Sequence, residues 1–580
     1  MVEWLPRYQW RRDGAAEAVA GVCVALMLVP QCLAYAMVAG LPANVGLYAG
    51  FFPVIVYAAL GTGRQLAVGP EGLLSLLTGS VLRGFAASMH MNTDPETLAP
   101  YASVLAFLVG LLSVGLGLLR VGFLDNLMSA PLLAGFVSAA ALLIIEDQLG
   151  TFVGFSLQGS GSVEKLGSFF GRLGHAQVLT LCVGMSCVLV ILAVDHAKAA
   201  LAARYGWVRF LPTTLVAVCV GLLQGWSLTA AGYRLQLTGD IQGGFEMPGL
   251  DTMWHMWAVQ GLLGPALLIT VVGFIEAMAA SKKYALRYGY KVSGDQELLA
   301  FGVANLVGGV FKAYPTFSSL PRTNVADASG TRTQLVGFYA SLLTLATILF
   351  LSSAFFYLPN VAIAAIVVVA ASRLIEWREF VLLGLLREWL DLAMATLTLL
   401  LTFFFGPELG ILFALFLSAF LLIKRSTMPH ITILHRRPKA ADPHRAFVDM
   451  EADPRAARIP GTLLIRVNGF LSFANVQQFQ NSVSRLIDIE TSSGLPFTCF
   501  AIDAQHIHHL DMQAAQHLAH LAADLERRGK SLRVIQLDPD FQRKVLICAH
   551  HAHFESPSSV FVDWSAFVLS ISCPTSPRPS

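Results

Sequence analysis

Charge is scarce in this chain: Asp, Glu, Lys and Arg make up only 13% of its 580 residues, and the formal net charge is +2. A balance so near zero offers no basic field for a polyanionic backbone, which excludes nucleic acid as a partner. No Walker motif is present, which argues against ATP-driven work within the chain. The cysteines, Cys23, Cys32, Cys182, Cys187, Cys219, Cys499, Cys548 and Cys573, form no CxxC pair and so outline neither a zinc cage nor a disulfide framework. They fit a reduced interior. The patches His506, His508, His509 and His550, His551, His553 lack the spacing of a usual zinc site and read as solvated loop histidines. Neither a catalytic centre nor a metal or cofactor is expected.

Apolar residues are abundant instead, at 55% of the chain with a mean hydropathy of +0.63. Between residues 16 and 424 the apolar runs repeatedly reach the roughly 20 residues that span a bilayer, so the chain is a polytopic membrane protein in contact with lipid. The polar, basic start from Met1 to Arg12 precedes an apolar run with no small-residue cleavage site behind it, which predicts a retained first span. Arg7, Arg11 and Arg12 lie before the spans; Lys424, Arg425, Arg436, Arg437 and Lys439 lie at and after their end. This excess of basic residues predicts that both termini are cytoplasmic and the number of spans even. A plasma membrane is preferred to an organelle membrane.

The runs fall into two groups of seven. The first lies near 16–37, 44–60, 70–88, 101–119, 130–149, 176–197 and 209–227, the second near 261–281, 295–311, 319–339, 340–357, 359–374, 386–405 and 408–424. The polar stretch Tyr233 to Met253 separates them. Each group contains a polar, proline-broken interruption: Arg64-Gln65-Leu66-Ala67-Val68-Gly69-Pro70-Glu71 in the first and Tyr314-Pro315-Thr316-Phe317-Ser318-Ser319-Leu320-Pro321-Arg322 in the second. Both breaks come roughly 55 residues after their group begins, the regularity of two structural repeats. An odd number of spans per repeat inverts the second relative to the first. The two half-helix starts then face one another near the midplane, each with about half a unit of positive charge. Lipid cannot satisfy such broken backbone, so it faces protein or water and its N–H groups are free to hold an anion.

Polar side chains cluster around those breaks. Gln31 and Tyr35 stand four apart on one face of the first span, next to Pro30. Read alone, Gln31 is either interhelical glue or a ligand contact. Glu276 sits about as far into its repeat as Gln31 does into the first. A carboxylate there costs roughly 2.5 to 3.5 kcal/mol or more, so it needs a partner or a wet surface. It is either a proton carrier, since burial favours the neutral form of a carboxyl, or a fixed ion pair with Arg322 or Lys282. Arg322 supplies a permanent cation beside the second break, with Ser318, Ser319 and Thr323 as neutral donors. Glu71 suits the dipole of its half-helix but repels an anion unless protonated, so it is a second coupling candidate or a structural pair with Arg64 or Arg322. Glu146 and Asp147 are given no role.

After Lys424 the composition shifts. A linker over 425–460 leads to a soluble region over 461–572 and a short tail over 573–580, while 1–15 forms an N-terminal segment. Thr462–Val467, Phe497–Asp503 and Ser531–Gln536 read as strands, Phe473–Ile489, Met512–Arg528 and Phe541–Ala549 as helices. That alternation predicts an α/β domain with a largely parallel sheet.

Pro30-Gln31, Ala34-Tyr35, Gly40-Leu41-Pro42, Gly46-Leu47-Tyr48, Phe52-Pro53, Gly61-Thr62-Gly63-Arg64-Gln65 and Val68-Gly69-Pro70 resemble the signature of SulP anion permeases, the sulfate-permease family. Glu276, Gln296-Glu297-Leu298, Ala304-Asn305, Arg322-Thr323 and Gly330 to Leu335 continue the resemblance, and the soluble region is similar to the family's STAS domain. The resemblance implies a 7+7 inverted-repeat fold of about 14 spans with core and gate domains, plus the C-terminal α/β STAS domain. It implies a homodimer, elevator-like movement and a small inorganic anion, sulfate first, carried by proton symport or anion exchange. Carried over residue by residue, substrate binding falls to Gln31, Tyr35, Gly69, Glu71, Ser318, Ser319, Leu320 and Arg322, and coupling to Glu276 and Glu71. Two positions depart from the family pattern. Pro321 stands where many members have serine, and Glu71 where an apolar or small residue is common. In the STAS region Asp511-Met512 replaces the phosphorylatable serine of bacterial relatives, which points to dimerisation, trafficking or stability rather than a phospho-switch. The alternatives are a transport-poor regulator acting through its STAS domain, transport of bicarbonate or a dicarboxylate, and a nucleobase permease of the same fold, which Arg322 and the STAS extension disfavour.

Overall fold

The computed structural model describes residues 10–126, 128–155, 157, 159, 161–201, 212–239, 244, 258–437, 447–449, 456–492, 497–551, 561–563 and 566–567. The chain forms two compact units, Met1–Ala419 and Phe420–Ser580.

In the first unit the helices are α1 (Trp10–Val38), α2 (Ala43–Ala49), α3 (Phe52–Leu60), α4 (Gly72–Ser88), α5 (Pro95–Leu118), α6 (Ala130–Val153), α7 (Ser162–Gly171), α8 (Val178–Leu201) and α9 (Thr213–Ala230). They continue with α10 (Val259–Tyr288), α11 (Gly294–Val310), α12 (Leu320–Ala328), α13 (Leu335–Ala346), α14 (Asn360–Ser372), α15 (Trp377–Leu386), α16 (Trp389–Phe405) and α17 (Pro407–Thr427), the last of which runs into the second unit. Ten segments among the described residues are long and apolar enough to cross a membrane, and α4 and α16 are shorter apolar helices. With α11 and the half-helix α12 they make two sets of seven elements.

Two packing groups are visible in the first unit. In one, α5 lies along α11, α3 and α10 pack on that pair, and α1 packs on α2, α12 and α13. Small residues allow the closest approach: a Cβ on Gly110 would meet the backbone of Leu306 at 2.5 Å, and one on Gly302 would meet the Val114 nitrogen at 2.7 Å. In the other, α6 packs on α14 and α16, and α8 on α9 and α14. The groups meet where α1 lies against α9 and α14, and where α4 lies against α6. Ser80 Oγ of α4 donates to Glu408 Oε1 of α17 at 2.9 Å.

The expected apolar run over 319–339 is not one span. Helix α12 ends at Ala328, Gly330 turns at φ +89°, and α13 begins only at Leu335. The intervening Asp327-to-Gln334 stretch is too polar to continue an apolar helix, and its hydrogen bonds go elsewhere. Glu17 of α1 accepts from Thr333 N at 2.6 Å and Thr333 Oγ1 at 2.8 Å. The short helix α7 and the helix α15 lay outside the expected runs.

The second unit holds strands β3 (His430–Arg436), β4 (Phe447–Asp449), β5 (Thr462–Leu471), β6 (Cys499–Asp503), β7 (Ile507–Leu510), β8 (Ser531–Ile535) and β9 (Phe561–Val562) with helices α18 (Val476–Ser492), α19 (Met512–Arg527) and α20 (Pro539–His551). The order is β4-β3-β5-β6-β8-β9, with β7 paired to β5; β5, β6, β8 and β9 run parallel, and β3 is antiparallel to both its neighbours β5 and β4. Strand β3 begins where a linker was expected, because His430-Ile-Thr-Ile alternates and adds to the edge of β5. Phe479, Val483, Phe500, Ile502, Leu518 and Val534 lie in the core between sheet and helices. Asp511 caps α19, accepting from Ala514 N at 2.8 Å, and also accepts from Phe473 N at 2.6 Å, so this carboxylate joins two loops. Met512 beside it is exposed. The patch His508-His509 lies on β7, and the stretch after His551 falls outside the described residues until Phe561.

Candidate functional site: the crossing of two broken helices

Pro70 and Pro315 stop a helix from running through either break, and the extended backbone that results has to find partners in the protein. It finds them in the other break. Strand β1 (Val68–Gly69) pairs antiparallel with β2 (Phe317–Ser318), Val68 opposite Ser318 and Gly69 opposite Phe317. Ser319 N donates to Ala67 O at 3.1 Å, and Ala67 N donates to Thr323 Oγ1 at 3.1 Å. Helices α4 and α12 therefore both start at the crossing, which brings their N-terminal N–H groups to it.

Gly69 adopts φ +140°, and a Cβ there would meet Leu28 at 2.8 Å and Arg322 Nη2 at 3.2 Å. Only glycine passes between them.

Arg322 is fully buried. Its Nη1 donates to Gln31 Oε1 at 2.8 Å and to Pro70 O at 2.9 Å, and its Nη2 to Ala67 O at 3.4 Å. The guanidinium of the second repeat thus holds the carbonyls of the first repeat's break. Among the described residues its Nε–H has no acceptor, and Ser318 Oγ and Glu276 Oε2 are likewise buried without a partner. Leu320 and Arg322 lie in the first turn of α12, where N–H groups have no intrahelical acceptor, while Pro321 contributes none.

Glu71 is the N-cap of α4 and is buried; its Oε2 accepts from Leu74 N at 3.0 Å. It lies within electrostatic reach of Arg322 and Glu276. Tyr35 packs its ring against the start of α4, 3.2 Å from where a Gly72 Cβ would be. Glu276 stands one turn after Gly273, whose missing side chain admits the Phe317 ring. The structure thus brings Gln31, Tyr35, Gly69, Glu71, Glu276, Ser318, Ser319, Leu320 and Arg322 to one crossing. The alternatives left open by sequence narrow: the hydrogen bonds of Arg322 go to Gln31 and two carbonyls, Glu71 caps its own helix, and Arg64 stacks over the Tyr290 ring at 4.9 Å.

Several residues that support the crossing had no assigned role in the sequence. Buried Glu297 accepts from Tyr57 Oη at 2.6 Å, Thr62 N at 2.7 Å, Thr62 Oγ1 at 2.5 Å and Gly63 N at 3.1 Å, tying α11 to the loop ahead of β1. Asn305 binds both Thr316 O and Thr316 N at 2.8 Å, clamping the second break. Tyr314 Oη and Ser75 Oγ lie 2.9 Å apart and join that break to α4. The signal available for all of these was a polar side chain inside an apolar run. Glu297→Ala removes the acceptor of four donors, of which Tyr57 Oη and Gly63 N are buried. We expect it to destabilise the first unit by about 2 to 5 kcal/mol, read as a lower melting temperature of the purified chain, with Glu297→Gln less damaging because one acceptor remains.

Two sets of seven helical elements whose broken members cross, with helix starts and a buried arginine at the crossing, define an inverted-repeat anion transporter. The chain belongs to the sulfate permease family: the family model matches residues 15–396, and a STAS domain model matches residues 453–561. It is a multi-pass membrane transporter and not an enzyme. It is 32% identical over 550 residues to the probable sulfate transporter Rv1739c of Mycobacterium tuberculosis, covering 93% of each chain. It is 31% identical to the chloroplastic sulfate transporter 4.1 of Arabidopsis thaliana, over 93% of this chain and 77% of that one. Murine Slc26a9, an anion transporter solved in an inward-facing state, has the same fold with a TM-score of 0.83 at 22% identity, covering 99% of this chain and 94% of its own. The transmembrane domain of the cyanobacterial bicarbonate transporter BicA matches with a TM-score of 0.58 at 22% identity, over 69% of this chain and 97% of that one.

Proposed function

We propose that this anion transporter carries sulfate by secondary-active transport, in symport with protons. The observation that carries the reading is the crossing itself: two helix starts, one fully buried arginine with a free Nε–H, and an unpartnered serine hydroxyl converge on one point. In this reading the anion lies between the starts of α4 and α12, contacting Gln31, Tyr35, Gly69, Ser318, Ser319, Leu320 and Arg322. Glu276 and Glu71 bind the coupling protons. Sulfate is favoured over bicarbonate and dicarboxylates because relatives that match more than nine-tenths of this chain carry sulfate in their names. The two packing groups of the first unit supply the bodies for an elevator movement. We place both termini in the cytoplasm of a plasma-membrane homodimer, with the STAS domain serving assembly or stability.

The test is sulfate uptake into liposomes containing the purified chain, with and without an inward proton gradient, and with bicarbonate, chloride and dicarboxylates as competitors. Saturable uptake stimulated by the gradient is expected. Flux of bicarbonate alone reassigns the substrate, and no anion flux at all favours a regulator acting through the STAS domain.

A further inference from the structure

The proposed anion site already contains a carboxyl group of the chain. The N–H groups at the start of α4 face the place where a substrate would bind, but the Glu71 carboxylate covers them: it is buried, accepts from Leu74 N at 3.0 Å, and lies next to the amides of Gly72 and Leu73. The corresponding start of α12 has no such plug, because its N-cap Ser319 makes no side-chain cap hydrogen bond. One half of the site is therefore open and the other occupied by the chain itself.

Charge makes the occupancy matter. The groups facing Glu71 are Tyr35 from α1, Glu276 from α10, Tyr314 from the second break and Arg322 from α12. Arg322 is the one permanent cation among them, against two carboxylates. A divalent anion entering with both carboxylates ionised would bring a crowd of negative charge against a single guanidinium, most of whose hydrogen bonds are already made to Gln31, Pro70 and Ala67. With both carboxyls protonated, the same anion meets Arg322 and two neutral donors.

We propose that Glu71 is an internal competitor for the substrate, displaced only when protonated, so that each divalent anion loads together with two protons, one on Glu71 and one on Glu276. This rests on the site reading above. The proton added to the Glu71 carboxylate removes the charge that holds it over α4, the N–H groups of Gly72 to Leu74 pass to a substrate oxygen, and the neutral carboxyl becomes a donor. The charges balance: an empty site with one guanidinium and two carboxylates carries the same net charge as a site holding the guanidinium, two neutral carboxyls and sulfate. Symport of one sulfate with two protons moves no net charge.

Two measurements on the full chain test this. Sulfate affinity measured against pH in nanodiscs is expected to steepen toward a limit of about a hundredfold per pH unit, because each linked proton contributes at most about tenfold. In Glu71→Gln, whose amide oxygen still caps α4, the limit falls to about tenfold. In proteoliposomes, wild-type uptake is expected to be indifferent to a potassium–valinomycin potential, whereas Glu71→Gln moves one net negative charge and is slowed by an inside-negative potential. A wild-type limit of tenfold with voltage-sensitive uptake overturns the two-proton inference and leaves the anion site standing. Absence of saturable sulfate binding by the wild type overturns the site reading itself. The wild-type measurements decide the matter even if the variant fails to fold.

Discussion

Arg322→Ala is expected to end saturable sulfate uptake, with a loss of about a hundredfold or more in uptake efficiency, while protein still reaches the membrane. In the proposed site the guanidinium is the charge, and in the structure it is the strut between repeats through Gln31, Pro70 and Ala67. Truncating one partner of a buried hydrogen-bonded charge costs about 3 to 5 kcal/mol of binding, which at 1.4 kcal/mol per decade is a loss of about two to three and a half orders of magnitude. Arg322→Lys separates the two roles. It restores the charge but cannot reproduce the planar fork that reaches Gln31 and Pro70 together, so partial recovery at best is expected. Uptake by Arg322→Ala at the wild-type level, with equal protein in the membrane, would remove the site assignment.

Glu276→Gln has the second largest effect, and it is on pH dependence rather than on the site's shape. If the carboxyl must bind a proton before the anion loads, uptake by the wild type rises as pH falls and declines as the carboxyl ionises. Glutamine is neutral at every pH, so the variant loses one of the titrating groups, and its profile flattens by up to about tenfold per pH unit. Its uptake at alkaline pH becomes less dependent on the proton gradient, and less sulfate accumulates against its own gradient. The buried Oε2 of Glu276, without a partner among the described residues, is the reason to expect this: an oxygen left free is available to take up a proton. A pH profile identical to that of the wild type removes Glu276 from the coupling.

Most residues of the crossing were legible because a membrane makes polar residues conspicuous. Gln31, Glu71, Glu276 and Arg322 stand out in apolar runs, and the prolines that open the two breaks stand out beside them. The supports were harder to read. Glu297 and Asn305 were visible as polar residues, but their work is done on Thr62, Gly63 and Thr316, and nothing local in the sequence names those partners. The run over 319–339 divides for a related reason: its polar middle bonds to Glu17 of α1, which accepts from Thr333 N, and nothing local in the sequence names that partner. In the second unit, β3 was hidden by basic residues at its end, and it exists because the edge of β5 was available to pair with it.

By itself, the sequence determined that the chain lies in a membrane, that it consists of two similar halves, and that each half is interrupted by a polar break, because hydropathy, proline and helix length are local properties. Only the tertiary structure decided that the two breaks pair as strands, that Arg322 of one half grips the carbonyls of the other, and that Glu71 covers the helix start an anion would use. Those outcomes depend on which unsatisfied N–H, carbonyl or charge meets which partner across more than two hundred residues of chain, and such meetings are settled by packing.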